Sequence, residues 1–199
     1  METNKTLNDK KVNIHQELIE ACKQYDRTAQ VRIYELYYKA MYNTSYRILN
    51  NTAEAEDAMQ EAFLEAFRRI GTYREEAAFG AWLRRIVINK SLDALKRKKE
   101  MFLHDPDEAD IVDDTQSERE EKELTEAKVG EIRNAMEKIP GQYRVILSLY
   151  LLEGYDHKEI ADILSISYNN VRVRYMRAKS SLLAQIVQTK KTYLDSIKN

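Results

Sequence analysis

Arg84, Arg85, Asn89, Lys90, Lys96 and Arg97 lie in one short stretch, FGAWLRRIVINKSLDALKRK over 79–98. Wound at 100° per residue, Arg85, Asn89 and Lys96 fall within about 40° of each other, with Arg84, Lys90 and Arg97 flanking them. Cations meet phosphates and an amide can read a base edge, so the stripe suits DNA. A second cluster is YNNVRVRYMRAKSSLLAQIV over 168–187. With Val171 facing inward, Tyr175, Ala178 and Leu182 fall within about 40° of it. Asn169, Arg172, Val173 and Met176 then point away, between about 100° and 200°, as candidate base readers. Tyr168, Asn170, Arg174, Arg177 and Lys179 flank them, placed for phosphates. A third group is acidic and polar: Glu54, Asp57, Gln60, Glu61 and Glu65 lie within 52–70. No histidine or second carboxylate motif joins them, so they read as a helix face for a basic protein partner.

Other chemistry has little to build on. Cys22 is the single cysteine, which excludes a disulfide within the chain. His15, His104 and His157 stand far apart, outside any metal-ligand spacing. There is no nucleophile–base pair and no glycine-rich phosphate loop. We expect no catalytic residue, no metal, no cofactor and no small-molecule substrate. The start, METNKTLNDKK, is polar, and no stretch approaches the roughly 20 apolar residues of a membrane span. The expected place is the cytoplasm, as a lone thiol also indicates.

The elements that must carry these clusters are helices. The 199 residues are 43% hydrophobic and 33% charged, with only 5 glycines and 2 prolines to interrupt them. A net charge of −1 hides strong segregation. Residues 68–99 carry ten basic side chains against three acidic, and 168–199 seven against one. Between them, 100–123 carries eleven acidic against two basic. That block cannot bury enough apolar surface to offset its ordering entropy, and it reads as a flexible linker. The expected fold is all-α: two small helical domains joined by an acidic linker.

Within the first domain, Val31, Tyr34, Tyr38, Met41, Tyr42, Ser45 and Ile48 recur at helical spacing and predict a buried face. Asn51 and Glu54 mark the start of the next helix. Its inner stripe is Ala55, Met59, Ala62, Phe63, Ala66 and Ile70. After the connection GTYREEAA, the stripe is Phe79, Trp82, Leu83, Ile86 and Val87. In the second domain, a helix over 124–139 ends at Pro140-Gly141, and an apolar helix over 142–153 is capped by Gly154. Asp156 and Glu159 start the next, HKEIADIL. Ala161, Ile166 in the turn and Val171 then give the helix-turn-helix pattern.

These motifs resemble a known family. AEDAMQEAFLEAF, followed by FGAWLRRIVINKSLDALKR, resembles region 2 of bacterial sigma factors. IPGQYRVILSLYLLEGYDHKEIADILSISYNNVRVRYMRAKSSL resembles region 4. Order, acidic linker and size are similar to the extracytoplasmic-function group of the sigma-70 family. The resemblance implies an N-terminal segment with a short helix (1–24), region 2 (25–99), the linker (100–122), region 4 (123–187) and a tail (188–199). It implies that Asp57, Gln60, Glu61 and Phe63 dock on the clamp coiled coil of core RNA polymerase. Tyr73, Arg84, Arg85, Asn89, Lys90, Lys96 and Arg97 would serve the minus-ten element of promoter DNA. Tyr73 has two roles open to it, stacking on an unpaired base or packing at the loop base. Tyr168, Asn169, Asn170, Arg172, Val173, Arg174, Met176, Arg177 and Lys179 would serve the minus-thirty-five element. The apolar helix 143–152 would meet the polymerase flap. An anti-sigma factor, of a kind commonly membrane-bound, is the further partner the resemblance implies.

The 24 residues 100–123 can extend to roughly 80 Å, enough for two DNA turns of about 70 Å. Ser165 stands where the family's turn usually has glycine, Asn170 where it has threonine and Tyr175 where it has leucine. A positive φ at Ser165 would strain it by about 1 kcal/mol. A helix-turn-helix regulator that works without polymerase is the alternative reading. It would bind duplex DNA alone, with a steep salt dependence.

Overall fold

The computed structural model describes residues 16–74, 77–98 and 129–197, with side chains up to 191. The expected linker, residues 1–15 and the start of the helix expected at 124 lie outside these. The regular elements among the described residues are all helical. The chain divides into two compact units, Met1–Ala94 and Leu95–Asn199, the division falling in the last turn of a helix.

The first unit holds α1 (16–23), α2 (Arg27–Leu49), α3 (Thr52–Arg69) and α4 (Phe79–Arg97). The Asp26 carboxylate caps α2, accepting the Thr28 and Ala29 N–H groups at 2.7 and 3.1 Å. The helix ends where Asn50 turns left-handed at φ 52, its N–H bonded to the Tyr46 carbonyl. Asn51 then caps α3, its side-chain oxygen accepting the Glu54 N–H at 3.1 Å. All six residues expected on the inner stripe of α3 are buried. All but Ala55 meet Ile33 and Met41 of α2 and Phe79, Leu83 and Val87 of α4 in one core.

The N-terminal segment carries a short helix, α1, whose Ile19 and Cys22 enter that same core. One expectation changes here. On α2 the dry stripe is Ala29, Ile33, Met41, Ser45 and Ile48. Val31 is 58% and Tyr38 36% exposed, while Tyr34 and Tyr42 are half-buried. Tyrosine tolerates a wet edge, so Tyr34, Tyr38 and Tyr42 flank the stripe instead of defining it. Tyr37, outside the expected face, sets its ring against Phe79 at 5.5 Å. A Cβ on Gly80 would come within 3.0 Å of that ring, so glycine permits this approach of α2 and α4. Deeper in, the Ser91 hydroxyl lies 2.9 Å from that of Ser45 and donates to the Val87 carbonyl at 2.8 Å.

The second unit holds α5 (Val129–Lys138), α6 (Gly141–Leu147), α7 (His157–Leu164) and α8 (Tyr168–Ile197). The expected helix over 142–153 is α-helical only to Leu147. Its last turn, Ser148–Leu152, widens to π geometry, with the Glu153 N–H on the Ser148 carbonyl at 3.0 Å. Gly154, at φ 78, ends it as expected. The Asp156–Glu159 capping box is complete. Asp156 accepts the Lys158 and Glu159 N–H groups at 2.7 and 2.9 Å, and Glu159 accepts the Asp156 N–H at 2.8 Å. Ala135, Met136, Ile139, Leu147, Ala178, Leu182 and Ile186 form a core.

The expected tail from 188 is instead a continuation of α8, which runs unbroken to Ile197. No glycine or proline interrupts it, and Lys190 pairs with Glu131 of α5 at 3.3 Å. No helix of the described residues is long and apolar enough to cross a membrane.

Ser165 occupies the left-handed region, φ 56 and ψ 44. Ser165→Gly should therefore stabilise the second unit by about 1 kcal/mol in urea unfolding. An unchanged or lower midpoint would mean that the turn carries no strain. Burial pushes the Cys22 thiol up to about 11, with Asp26 adding to the effect. Thiol reagents at neutral pH should label it only as fast as the first unit opens.

Candidate nucleic-acid interface

Three exposed faces result from this packing. On α3, Asp57, Gln60 and Glu61 are exposed on the side away from the core. Gln60 reaches back to Glu56 at 3.4 Å. Phe63 does not join them. It is 3% exposed, its ring 4.8 Å from Tyr34 and 6.0 Å from Phe67. The phase that buries Ala62 and Ala66 also turns Phe63 inward. It supports the acidic face from beneath and is not part of it.

On α4, Asn89, Lys96 and Arg97 are exposed, and Arg84, Arg85 and Lys90 are half-buried. One helix thus carries all six, above the buried Leu83, Val87 and Leu92. Tyr73 precedes them, just past a 3-10 turn at Ile70–Thr72. Its hydroxyl donates to the Ala77 carbonyl at 2.7 Å. Its ring stands edge-on to Phe79 at 5.4 Å and leans on Trp82 at 5.5 Å. In this structure the ring packs at the loop base.

The third face is on α8. Its opposite side is sealed: Val171, Ala178 and Leu182 are fully buried. Asn169 and Arg172 are exposed, with Tyr168 beside them; Asn170, Val173, Arg174, Met176 and Arg177 are half-buried. The exception is Lys179, only 6% exposed, with its ammonium 5.8 Å over the Tyr175 ring. Lying about 80° from Val171, it is on the border of the dry stripe and covers apolar surface with its stem. It is not a phosphate contact in this arrangement. Ala161 and Val171 are buried and Ile166 is half-buried, so the helix-turn-helix angle is plugged mainly by the first two.

Sequence reasoning passed over His157. It is the first residue of α7, with Tyr150 stacked at 4.9 Å and Tyr175 tilted at 5.0 Å. Burial holds its imidazole below the ordinary histidine range, and Arg172 lowers it further, while Asp156 works the other way. The place directly after the Asp156 cap was the available signal. Among the described residues, no group of three or more histidine, cysteine or carboxylate side chains could hold a metal ion.

Comparison with known proteins agrees with the order of these faces. Residues 33–100 match the family model of sigma-70 region 2, and residues 130–182 that of sigma-70 region 4. The ECF RNA polymerase sigma factor SigW of Bacillus subtilis is 28% identical over 176 residues, 84% of this chain and 94% of that relative. The RNA polymerase sigma-H factor of Pseudomonas aeruginosa is 27% identical, over 84% of this chain and 91% of that relative. Among solved structures, the sigma factor RpoE in complex with the anti-sigma factor NepR from Bartonella quintana shares the fold. Its TM-score is 0.52 at 16% identity, over 78% of this chain and 94% of that one. With both regions present in the expected order, the chain belongs to the extracytoplasmic-function group of the sigma-70 family: it is a factor that binds RNA polymerase and starts transcription at specific promoters.

Proposed function

We propose a division of that work among the three faces. Asp57, Gln60 and Glu61 dock on the clamp coiled coil of the core enzyme. Arg84, Arg85, Asn89, Lys90, Lys96 and Arg97 hold the minus-ten element. On α8, Asn169, Arg172, Val173 and Met176 read the minus-thirty-five element in the major groove. Tyr168, Asn170, Arg174 and Arg177 hold its phosphates. The linker over 100–122 lets both elements be engaged at once. The observation that carries the reading is the two-sidedness of α8: Arg172 is exposed on a helix whose other side is sealed by Val171, Ala178 and Leu182.

Tyr150, Leu151 and Leu152, exposed at the end of the α6 region, meet the polymerase flap. An anti-sigma factor restrains the free protein by covering the polymerase-facing side. That the Bartonella quintana sigma factor was solved with the anti-sigma factor NepR supports this partner. The factor acts in the cytoplasm, where its polymerase is, and catalyses no reaction of its own.

The test is reconstitution with purified core RNA polymerase and fragmented genomic DNA of the source organism. We expect co-elution and discrete run-off transcripts. Asp57→Ala with Gln60→Ala should abolish co-elution while leaving the unfolding midpoint unchanged. Phe63→Ala should instead cost about 3–5 kcal/mol of stability, as removal of a core aromatic does. Arg172→Ala should keep co-elution and weaken promoter binding by about 1–3 kcal/mol. Tight, salt-sensitive binding to duplex DNA with no polymerase binding would contradict the proposal and favour a stand-alone regulator.

A further inference from the structure

His157 is a titratable side chain that none of these roles uses. It begins α7, the first helix of the helix-turn-helix pair, yet its contacts are with other elements. Tyr150, from the π-shaped turn, stacks on it with 29° between the rings. Tyr175 and Tyr168, both from α8, meet it at 5.0 and 6.3 Å. Tyr150 also touches Tyr175, at 4.6 Å. The imidazole is thus a wedge between the turn that precedes α7 and the helix that follows it. Tyr168 and Tyr175 bracket Arg172 on that helix, one turn to either side.

The surroundings suit a neutral ring. An imidazolium carries an N–H on both nitrogens, and Nε2 is buried with no acceptor among the described residues. The facing cation on α8 is Arg172, and the facing groups on the π-shaped turn and α8 are otherwise tyrosines. On its own element, the near carboxylate is Asp156. The same oxygen of that group already accepts the Lys158 and Glu159 N–H groups. The positive end of the α7 dipole opposes a cation at this position as well.

We infer that neutral His157 is a positioning residue for the recognition helix, and that taking up a proton there unseats the face that carries Arg172. The inference rests on the reading of α8 as the minus-thirty-five reader for its consequence, which is that mild acid weakens recognition of that element. The direction follows from linkage. The folded unit resists the proton, so the unfolded chain binds it first. The contribution of His157 to stability is complete above about pH 6.5 and is lost as pH falls below that value.

Imidazole and amide NMR on the full chain, without DNA, tests this. His157→Gln identifies the resonance. In the wild type, His157 should titrate below 6.5, and its midpoint should rise in Arg172→Gln. The amide resonances of Asn169, Arg172 and Met176 should move along the same curve. In His157→Phe, which keeps a ring in the wedge but cannot take up a proton, they should stay still over that range. A midpoint at 6.5 or above, as a cation held by the tyrosine faces would give, overturns the inference. So do amides that ignore the titration of His157. With no DNA in the sample, failure here leaves the promoter reading standing. Failure of the promoter assay, in turn, leaves the wedge standing.

Discussion

The stripe of Val171, Ala178 and Leu182 along α8 has no exposed surface, and the orientation of the exposed polar side of α8 depends on it. Removing apolar surface from water stabilises roughly in proportion to its area. On a helix this burial also fixes rotation. Once those three residues are dry, Asn169 and Arg172 must be wet. Val171 on α8 and Ala161 on α7 are both buried, as the helix-turn-helix pattern requires of the residues between its two helices. The capping box at Asp156 and Glu159 fixes where α7 begins. The left-handed Ser165 and the Ser167 hydroxyl, which accepts the Asn170 N–H at 3.2 Å, fix the turn into α8.

The first unit solves a related problem with a different core. Alanines on α3 allow close approach, and Gly80 does the same for α4 beneath Tyr37. The Ser91 hydroxyl, bonded to the Val87 carbonyl, also lies within hydrogen-bond reach of the Ser45 hydroxyl, so the pair adds direction within the dry region without an unpaired polar group. The consequence is that α3 and α4 each keep a charged side outward, one acidic and one basic. Opposite charge on two successive helices suits the two kinds of partner proposed for this unit, a protein and a nucleic acid.

Much of this was legible in the residues, and the exceptions have physical causes. The α3 stripe could be read because alanine, methionine and phenylalanine have no reason to stay wet. The α2 stripe was misread in part because tyrosine is content at a half-wet edge, so Tyr38 looked like a core residue in the pattern; nothing in the structure explains the exposure of Val31. Phe63 fitted both a docking motif and a buried stripe, and only packing on Tyr34 decides between them. Lys179 fitted a basic face by type, but its phase takes it to the Tyr175 ring. The capping residues Asn51, Gly154 and Asp156 were all recognisable, since each satisfies backbone groups locally. The length of α8 was not, because nothing in a polar helical stretch marks whether a neighbour such as Glu131 will hold it. The wedge at His157 needs three elements to meet, which no local pattern carries.

In the function proposed above, one chain engages two promoter elements through two separately folded units. Tethered DNA cleavage tests this most directly. Asp93 and Ser180 are exposed, on α4 and α8, and buried Cys22 leaves the introduced thiols as the reactive ones. A cleavage reagent on Asp93→Cys or Ser180→Cys, in holoenzyme bound to a promoter, should cut at two sites about two helical turns apart. The cut from α8 should lie upstream of that from α4. Cuts at one shared site, or none upstream from α8, would contradict the account.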